Sequence, residues 1–245
     1  TLNLYGTVSK GRRSPVVQVD AQSAGGVVIP RVQLVPEENV WNFEAGVKIA
    51  SRTLTGTLSA FYQSYRGFQV SVIGSDGIAR TQSAGSAKNP GVELEATWRP
   101  VSALSLFGAF AYLDGKIDRN NSLAPAFSGA RFRLQPQYTA SGGATLRLPL
   151  GEGMTFYATP SATYQSKVFF ELPNSEAISQ GGYTLVNARA GVELAEGRYT
   201  IGAFARNALN KRYLLDAGNT GGGFGGPTYI PGEPRFYGVE LSARY

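Results

Sequence analysis

Glu93 and Glu95 have the most recognisable chemical spacing in this chain: two carboxylates on one side of an extended segment, the arrangement from which acid/base pairs and divalent-metal sites are built. The competing reading is the solvated face of a strand. Composition removes most other chemistry. The chain has no histidine and no cysteine, which excludes Ser-His-Asp and Cys-His activation, imidazole ligation, thiolate metal sites and disulfides. Asp114 and Asp118 open a polar stretch but lack the ligand spacing of a calcium loop, so they read as a solvated turn. Gly221, Gly223 and Gly226 spell G-x-G-x-x-G inside a glycine run, with no strand opening into a helix, so they read as a loop. The expectation is no enzyme, no catalytic residue, no metal site and no bound cofactor.

A second set mixes cations with aromatic rings: Arg66, Phe68, Arg131, Phe132, Phe169, Phe170 and Tyr229. In one reading they stack on and neutralise an anionic chelate. In the other the rings form an interfacial girdle and the arginines meet lipopolysaccharide phosphate. Both stand at this stage. The formal charge of +6 is spread along the chain, with no basic cluster beyond the pairs Arg12-Arg13 and Lys211-Arg212, so no nucleic-acid footprint is present.

The elements that must position these residues alternate with period two. In the last segment Tyr237, Val239, Leu241, Ala243 and Tyr245 share one side, while Gly238, Glu240, Ser242 and Arg244 share the other. Ten such segments follow one another. Trp41, Phe43, Ala45, Val47 and Ile49 oppose Asn42, Glu44, Gly46 and Lys48; Val92, Leu94, Ala96 and Trp98 oppose Glu93, Glu95 and Thr97. Tyr138 through Leu148 oppose Thr139 through Arg147, and Val186 through Leu194 oppose Asn187, Arg189 and Glu193. Pro160 lies inside the seventh segment, where a bulge or distortion is expected. The connections are alternately very short (51–53, 100–103, 150–153, 195–198) and long (about 11–40, 66–90, 115–137, 167–183, 211–234). One-sided loop asymmetry of this kind belongs to an outer-membrane barrel, with apolar rows facing lipid and polar rows facing the lumen.

The fold class expected is therefore all-β: a transmembrane antiparallel barrel with about ten strands present. Glu44, Lys48, Glu93, Glu95, Arg147, Arg189, Glu193, Glu240 and Arg244 are expected to face the lumen. Glycines within the strands, Gly46, Gly91, Gly142 and Gly238, are expected to permit curvature or close packing of a plug.

Four stretches carry a family resemblance. Glu37-Glu-Asn-Val-Trp-Asn-Phe-Glu-Ala-Gly-Val-Lys48 resembles the "PE…N-E-G-K" strand of TonB-dependent receptors, and Asn89-Pro-Gly-Val-Glu-Leu-Glu95 their "N-x-G-V-E-L-E" strand. Asn207-Ala-Leu-Asn-Lys-Arg-Tyr213 is similar to their "N-L-x-N-K-x-Y" element, and Pro231-Gly-Glu-Pro-Arg235 to the "P-G-x-P-R" before their last strand. The resemblance implies a Gram-negative outer-membrane barrel of about 22 strands with a plugged lumen, of which residues 1–245 match the C-terminal portion. The plug domain and the earlier strands lie outside this sequence, and Thr1 is expected to fall inside a longer precursor. The function implied is active import of a ferric siderophore or similar scarce chelate; the alternative is a self-contained ten-stranded passive pore. Implied partners are outer-membrane lipid and lipopolysaccharide, the receptor's own plug, the TonB energy complex reached through the N-terminal part, and the barrel-assembly machinery. The strand with Tyr237, Gly238, Val239, Leu241 and Tyr245 resembles the C-terminal signal which that machinery reads.

Overall fold

The computed structural model describes residues 1–24, 27–73, 78–120, 124–221 and 226–244. Tyr245 and Gly223, singled out from the sequence, lie outside the described residues. Ten long strands follow one another in a single antiparallel meander: β1 (Leu2–Arg13), β2 (Glu38–Ala50), β3 (Leu54–Arg66), β4 (Ala87–Val101), β5 (Leu104–Leu113), β6 (Tyr138–Gly151), β7 (Met154–Gln165), β8 (Tyr183–Leu194), β9 (Tyr199–Arg206) and β10 (Phe236–Ala243). A short strand, Lys116–Ile117, adds to the loop end of β4. Among the described residues β1 pairs only with β2 and β10 only with β9, so the sheet is an open wall and not a closed barrel.

The register fixes which side each residue faces, because a strand's side chains alternate and paired residues share a face. Leu58, Leu94 and Phe110 follow one another across β3, β4 and β5. Their outward row is open, with Leu94 44% exposed and Val239 on β10 81% exposed. The opposite face is the sheltered one: Ser59 and Tyr157 are buried. The outward positions from Leu2 to Val8, Trp41 to Ile49, Leu54 to Tyr62 and Val92 to Trp98 contain no charged residue. A belt of this height and apolarity is stable where lipid covers it.

Several inward glycines lie under aromatic rings of the neighbouring strand. A Cβ at Gly46 would fall 2.6 Å from the Tyr5 ring; Gly91 is covered by Phe61, Gly143 by Phe107 and Gly238 by Phe204. The rings of the wall itself therefore fill the space over Gly46, Gly91 and Gly238, where curvature or close packing of a plug was expected, and Gly142 faces outward beside Ala140 and Ala144. Each ring lies flat across a glycine gap, which pins the register of the two strands.

Pro160 brings a distortion of the ladder and not a bulge. It is registered with Ala188 on β8, and on the β6 side the pairing lapses between Gly143–Ser161 and Leu146–Ala158 without a shift of register. No bulge forms. Across this gap the side-chain hydroxyls of Thr145 and Thr159 lie 3.3 Å apart.

The short connections (51–53, 102–103, 152–153, 195–198) all lie at one end of the wall and the long ones at the other. Strands run further than their alternation alone suggested, and four of the long loops carry hairpins of their own: Val16–Ala24 with Val27–Val35, Gln69–Ile73 with Ala79–Ser83, Val168–Phe169 with Ser179–Gln180, and Leu214–Gly221 with Gly226–Pro231. The loop 114–137 holds instead, among its described residues, the short strand Lys116–Ile117 and a 3-10 turn, Pro125–Phe127. Val70, Ala84, Ala87, Ile117, Phe127 and Leu172 bring the loops after β3, β5 and β7 together in one buried cluster.

Candidate functional site

The candidate lumen residues meet on one face of the wall. Glu44, Lys48, Glu93 and Glu95 share the register of Ser59 and Thr57. Arg147 pairs with Glu193, and Arg189 with Glu240 while lying over the Tyr157 ring at 5.6 Å. The Tyr5 hydroxyl donates to Glu44 Oε1 at 2.9 Å. Arg244 lies just past the end of β10, its backbone N–H donated to the Arg198 carbonyl at 2.8 Å. Glu93 and Glu95 therefore belong to a continuous polar inner face. Asp114 and Asp118 are held by lysines, with Lys116 at 2.9 Å and Lys88 at 3.6 Å.

At the long-loop end the structure builds a cavity of about 580 Å³, within the usual size of a small-molecule site. Its walls come from four loops: Ser71 and Val72, Arg133, the stretch Phe170–Ser175, and Asp216 with Thr228 and Ile230. The first of these loops joins β3 to β4 and the last joins β9 to β10, roughly 30 Å apart along a sheet whose strands are spaced about 4.8 Å. They meet because the loops lean in over the sheltered face, which puts the cavity across the mouth of the wall.

Arg133 is the fixed cation of this cavity. Its Nε donates to the Phe170 carbonyl at 2.5 Å and its Nη2 lies 3.6 Å from Asp216 Oδ2. Burial pushes the Glu171 carboxyl above its ordinary pKa, with Arg133 pulling the other way. Asn174 staples two of the loops: its Oδ1 accepts the Arg131 N–H at 2.7 Å, and its Nδ2 donates to the Arg131 carbonyl at 3.1 Å. Asp216 is oriented by the Ala217 N–H, donated to its Oδ1 at 2.9 Å. The cavity thus offers a guanidinium, a carboxylate, a carboxyl that resists ionisation, and an apolar floor from buried Phe170.

The residues singled out from the sequence take other places. Phe68 and Phe132 stack on each other at 4.6 Å, with Tyr65 against both, inside the loop cluster. Arg131 bonds Gln137 at 2.9 Å and lies 3.8 Å from Asp114. Phe169 lies under Lys167, 4.7 Å from its ring centroid. Tyr229 is half exposed, its hydroxyl donated to the Ala177 carbonyl at 3.4 Å. Arg66 sits opposite Asn39 on the outward face. Of the set, only Phe170 lines the cavity. Arg133, Glu171, Asn174 and Asp216 were missed; the one available signal was the repeat of cations in Arg131-Phe-Arg133, two charges on one side of an extended segment.

The sequence pattern of the family described as "TonB dependent receptor-like, beta-barrel" matches residues 1–208. The chain belongs to the TonB-dependent receptors. As a family these are transport receptors of the Gram-negative outer membrane, not enzymes. Among relatives, the metal-pseudopaline receptor CntO of Pseudomonas aeruginosa is 27% identical over 236 residues, 90% of this chain and 30% of that protein. The wall superimposes on the ferric yersiniabactin uptake receptor FyuA of Yersinia pestis with a TM-score of 0.77 at 19% identity, over 98% of this chain and 34% of that one. BauA, the ferric preacinetobactin receptor of Acinetobacter baumannii, gives 0.67 at 22% identity, over 98% and 33%. This receptor chain spans about a third of the length of the proteins it matches. The long loops of such a receptor are extracellular, so the cavity opens to the outside.

Proposed function

We propose that this chain forms the C-terminal part of the barrel wall and the extracellular mouth of a receptor that imports a metal chelate in the manner of a ferric siderophore, driven through the TonB complex. The observation that carries the reading is the mouth cavity, with Arg133 and Asp216 held in place and Glu171 beside them. The fixed guanidinium suits a ligand presenting carboxylates or other anionic oxygens, and Asp216 suits a cationic or N–H-bearing group on the same ligand. Among the described residues no group of three or more carboxylates converges as a metal site, which favours a cargo arriving inside its own chelator. Relatives whose names specify metal-pseudopaline, ferric yersiniabactin and ferric preacinetobactin agree with that class.

The unpaired outer edges of β1 and β10 argue against a self-contained ten-stranded pore, since backbone groups left open in hydrocarbon are untenable. In the full receptor the carboxylates of the inner face, Glu93 and Glu95 foremost, would face the plug. The exposed alternation of Tyr237, Val239 and Leu241 would serve the assembly machinery.

The test is binding of a panel of metal-loaded carboxylate, catecholate and hydroxamate chelators to the full receptor, with and without Arg133→Ala. Loss of one charge-assisted hydrogen bond should weaken the cognate chelate about ten-fold or more. Unaltered affinity for every chelate that binds would move the ligand elsewhere. Conductance of this chain alone in planar bilayers would restore the pore.

A further inference from the structure

The segment that carries Arg133 bends where its own residues give it no reason to bend. Leu134 adopts a left-handed backbone with φ 58°, a conformation that is costly for a bulky side chain. That side chain is 49% exposed, so its own packing does not hold the bend. The Leu134 N–H is donated to the Phe169 carbonyl at 2.9 Å. A residue in this conformation persists where its surroundings fix the chain on both sides of it.

Before the bend the fixing group is Asn174, which takes both backbone groups of Arg131. After the bend it comes from the inner face of the wall. Gln63 on β3 and Asn89 on β4 are directly registered, and Asn89 is buried. Asn89 Nδ2 donates to Gln63 Oε1 at 3.0 Å, and the Tyr65 hydroxyl donates to the same oxygen at 3.0 Å. Asn89 Oδ1 accepts Gln135 Nε2 at 3.2 Å. Gln135 has little room to turn away, because a Cβ on Gly115 would run into its Oε1. Two residues on, Gln137 Nε2 donates to Asp114 Oδ1 at 3.1 Å, within the same loop. Among the described residues, the Gln135–Asn89 bond is thus the side-chain tie nearest the bend that reaches a strand of the wall.

We infer that Asn89 is a positioning residue for Arg133. Through Gln135 the inner face of the wall holds the bend at Leu134, and the bend holds the guanidinium between the Phe170 carbonyl and Asp216. A change at Gln63 or Asn89, on the face turned to the lumen, therefore reaches the mouth cavity through groups that do not line it. For its bearing on import, the inference rests on the reading of that cavity as the ligand site. The positioning itself does not.

The experiment uses the full receptor reconstituted in vesicles and needs no chelate. The probe is phenylglyoxal, which modifies free guanidinium groups faster than paired ones. Peptide mass spectrometry follows its reaction with Arg133 and with Arg189, the wall arginine paired with Glu240. Asn89→Ala should speed modification of Arg133 roughly three-fold or more, the size expected when one buried hydrogen bond is lost and the segment opens locally. Arg189 should keep its wild-type rate. Asn89→Asp retains an acceptor for Gln135 and should restore the wild-type rate at Arg133. Gln135→Ala should match Asn89→Ala, and the two together should do no more than either alone. An Arg133 rate unmoved by Asn89→Ala would overturn the inference. So would equal acceleration of Arg133 and Arg189, which would make Asn89 a general brace of the sheet, and so would additive effects or no rescue by Asn89→Asp. If Asn89→Ala does not assemble, as judged by heat-dependent electrophoretic mobility, Gln135→Ala decides by the same comparison of Arg133 with Arg189. Chelate binding is scored separately: affinity unaltered by Arg133→Ala removes the ligand from the cavity and leaves the positioning intact, whereas an unmoved Arg133 rate removes Asn89 and leaves the cavity.

Discussion

The wall and the mouth of this chain place their apolar residues in opposite ways. In the wall most large aliphatic side chains point out, and Leu4, Val239 and Leu241 are at least 75% exposed. In the packed cluster of the loops they point in: Phe127, Ile117, Leu172 and Phe170 are buried. The wall is built by register alone, neighbour against neighbour, and relies on lipid to cover what it displays. The mouth is built by tertiary packing between segments far apart in sequence, as in a water-soluble protein. The comparison teaches that one chain meets two solvents with two kinds of order, and that a ligand site belongs where the second kind begins.

The largest effect expected is Phe127→Ala. Emptying its place in the loop cluster should cost about 3–5 kcal/mol of local stability, seen as hydrogen exchange and proteolysis throughout 67–86 and 114–137 while the wall stays protected. If wall and loops loosen together, they are one cooperative unit and the contrast fails. Next comes the belt: Leu94→Arg should lose about 2–4 kcal/mol near the bilayer midplane, and Glu93→Arg on the inner face clearly less, in urea titrations of the reconstituted receptor. Equal losses would refute the assignment of faces.

A smaller effect is expected from Asn207→Ala at the junction of wall and mouth. This buried amide donates to the Lys211 and Glu233 carbonyls at 2.8 and 2.9 Å and accepts the Lys211 N–H at 2.8 Å. Its loss removes three hydrogen bonds to the backbone of Lys211 and Glu233, for about 1–3 kcal/mol, and should show as faster exchange around the Leu214–Gly221 hairpin. The smallest concerns pH. The Glu171 carboxyl is raised in the folded state, chiefly by burial. Between its ordinary value and that raised value the folded loops hold the proton more tightly than unfolded ones, so their stability is fullest at the acid side and declines as pH rises through the window. Glu171→Gln should flatten that slope in loop-specific exchange; an unchanged slope would place its origin in another group.

The wall was legible because a period of two leaves no freedom: once Trp41 takes one face, Glu44 and Lys48 must take the other, and the register carries the same choice to Glu93, Arg147 and Glu240. The short turns were legible because two strands of fixed length leave only a few residues between them. The mouth was not. Val17, Val19, Val32 and Leu34 alternate as a strand pair should, yet a long connection gave no reason to fold the loop back on itself. The cavity was hidden for a deeper reason. Arg133, Glu171 and Asp216 come from three loops, and only three-dimensional packing brings them together. Phe68 and Phe132 looked like ligand contacts because aromatic residues in loops attract that reading, whereas here they are the filling that lets the loops hold a shape.

The order of the wall, in which each strand touches only its predecessor and its successor, has an evolutionary consequence. Excising any one hairpin, two strands with the loop between them, would leave every remaining residue on its original face and every remaining loop at its original end. Excising a single strand would invert everything after it. The perimeter of such a wall can therefore grow or shrink in units of two with no change in the rules that its sequence obeys, and the gene has a module size written into its geometry.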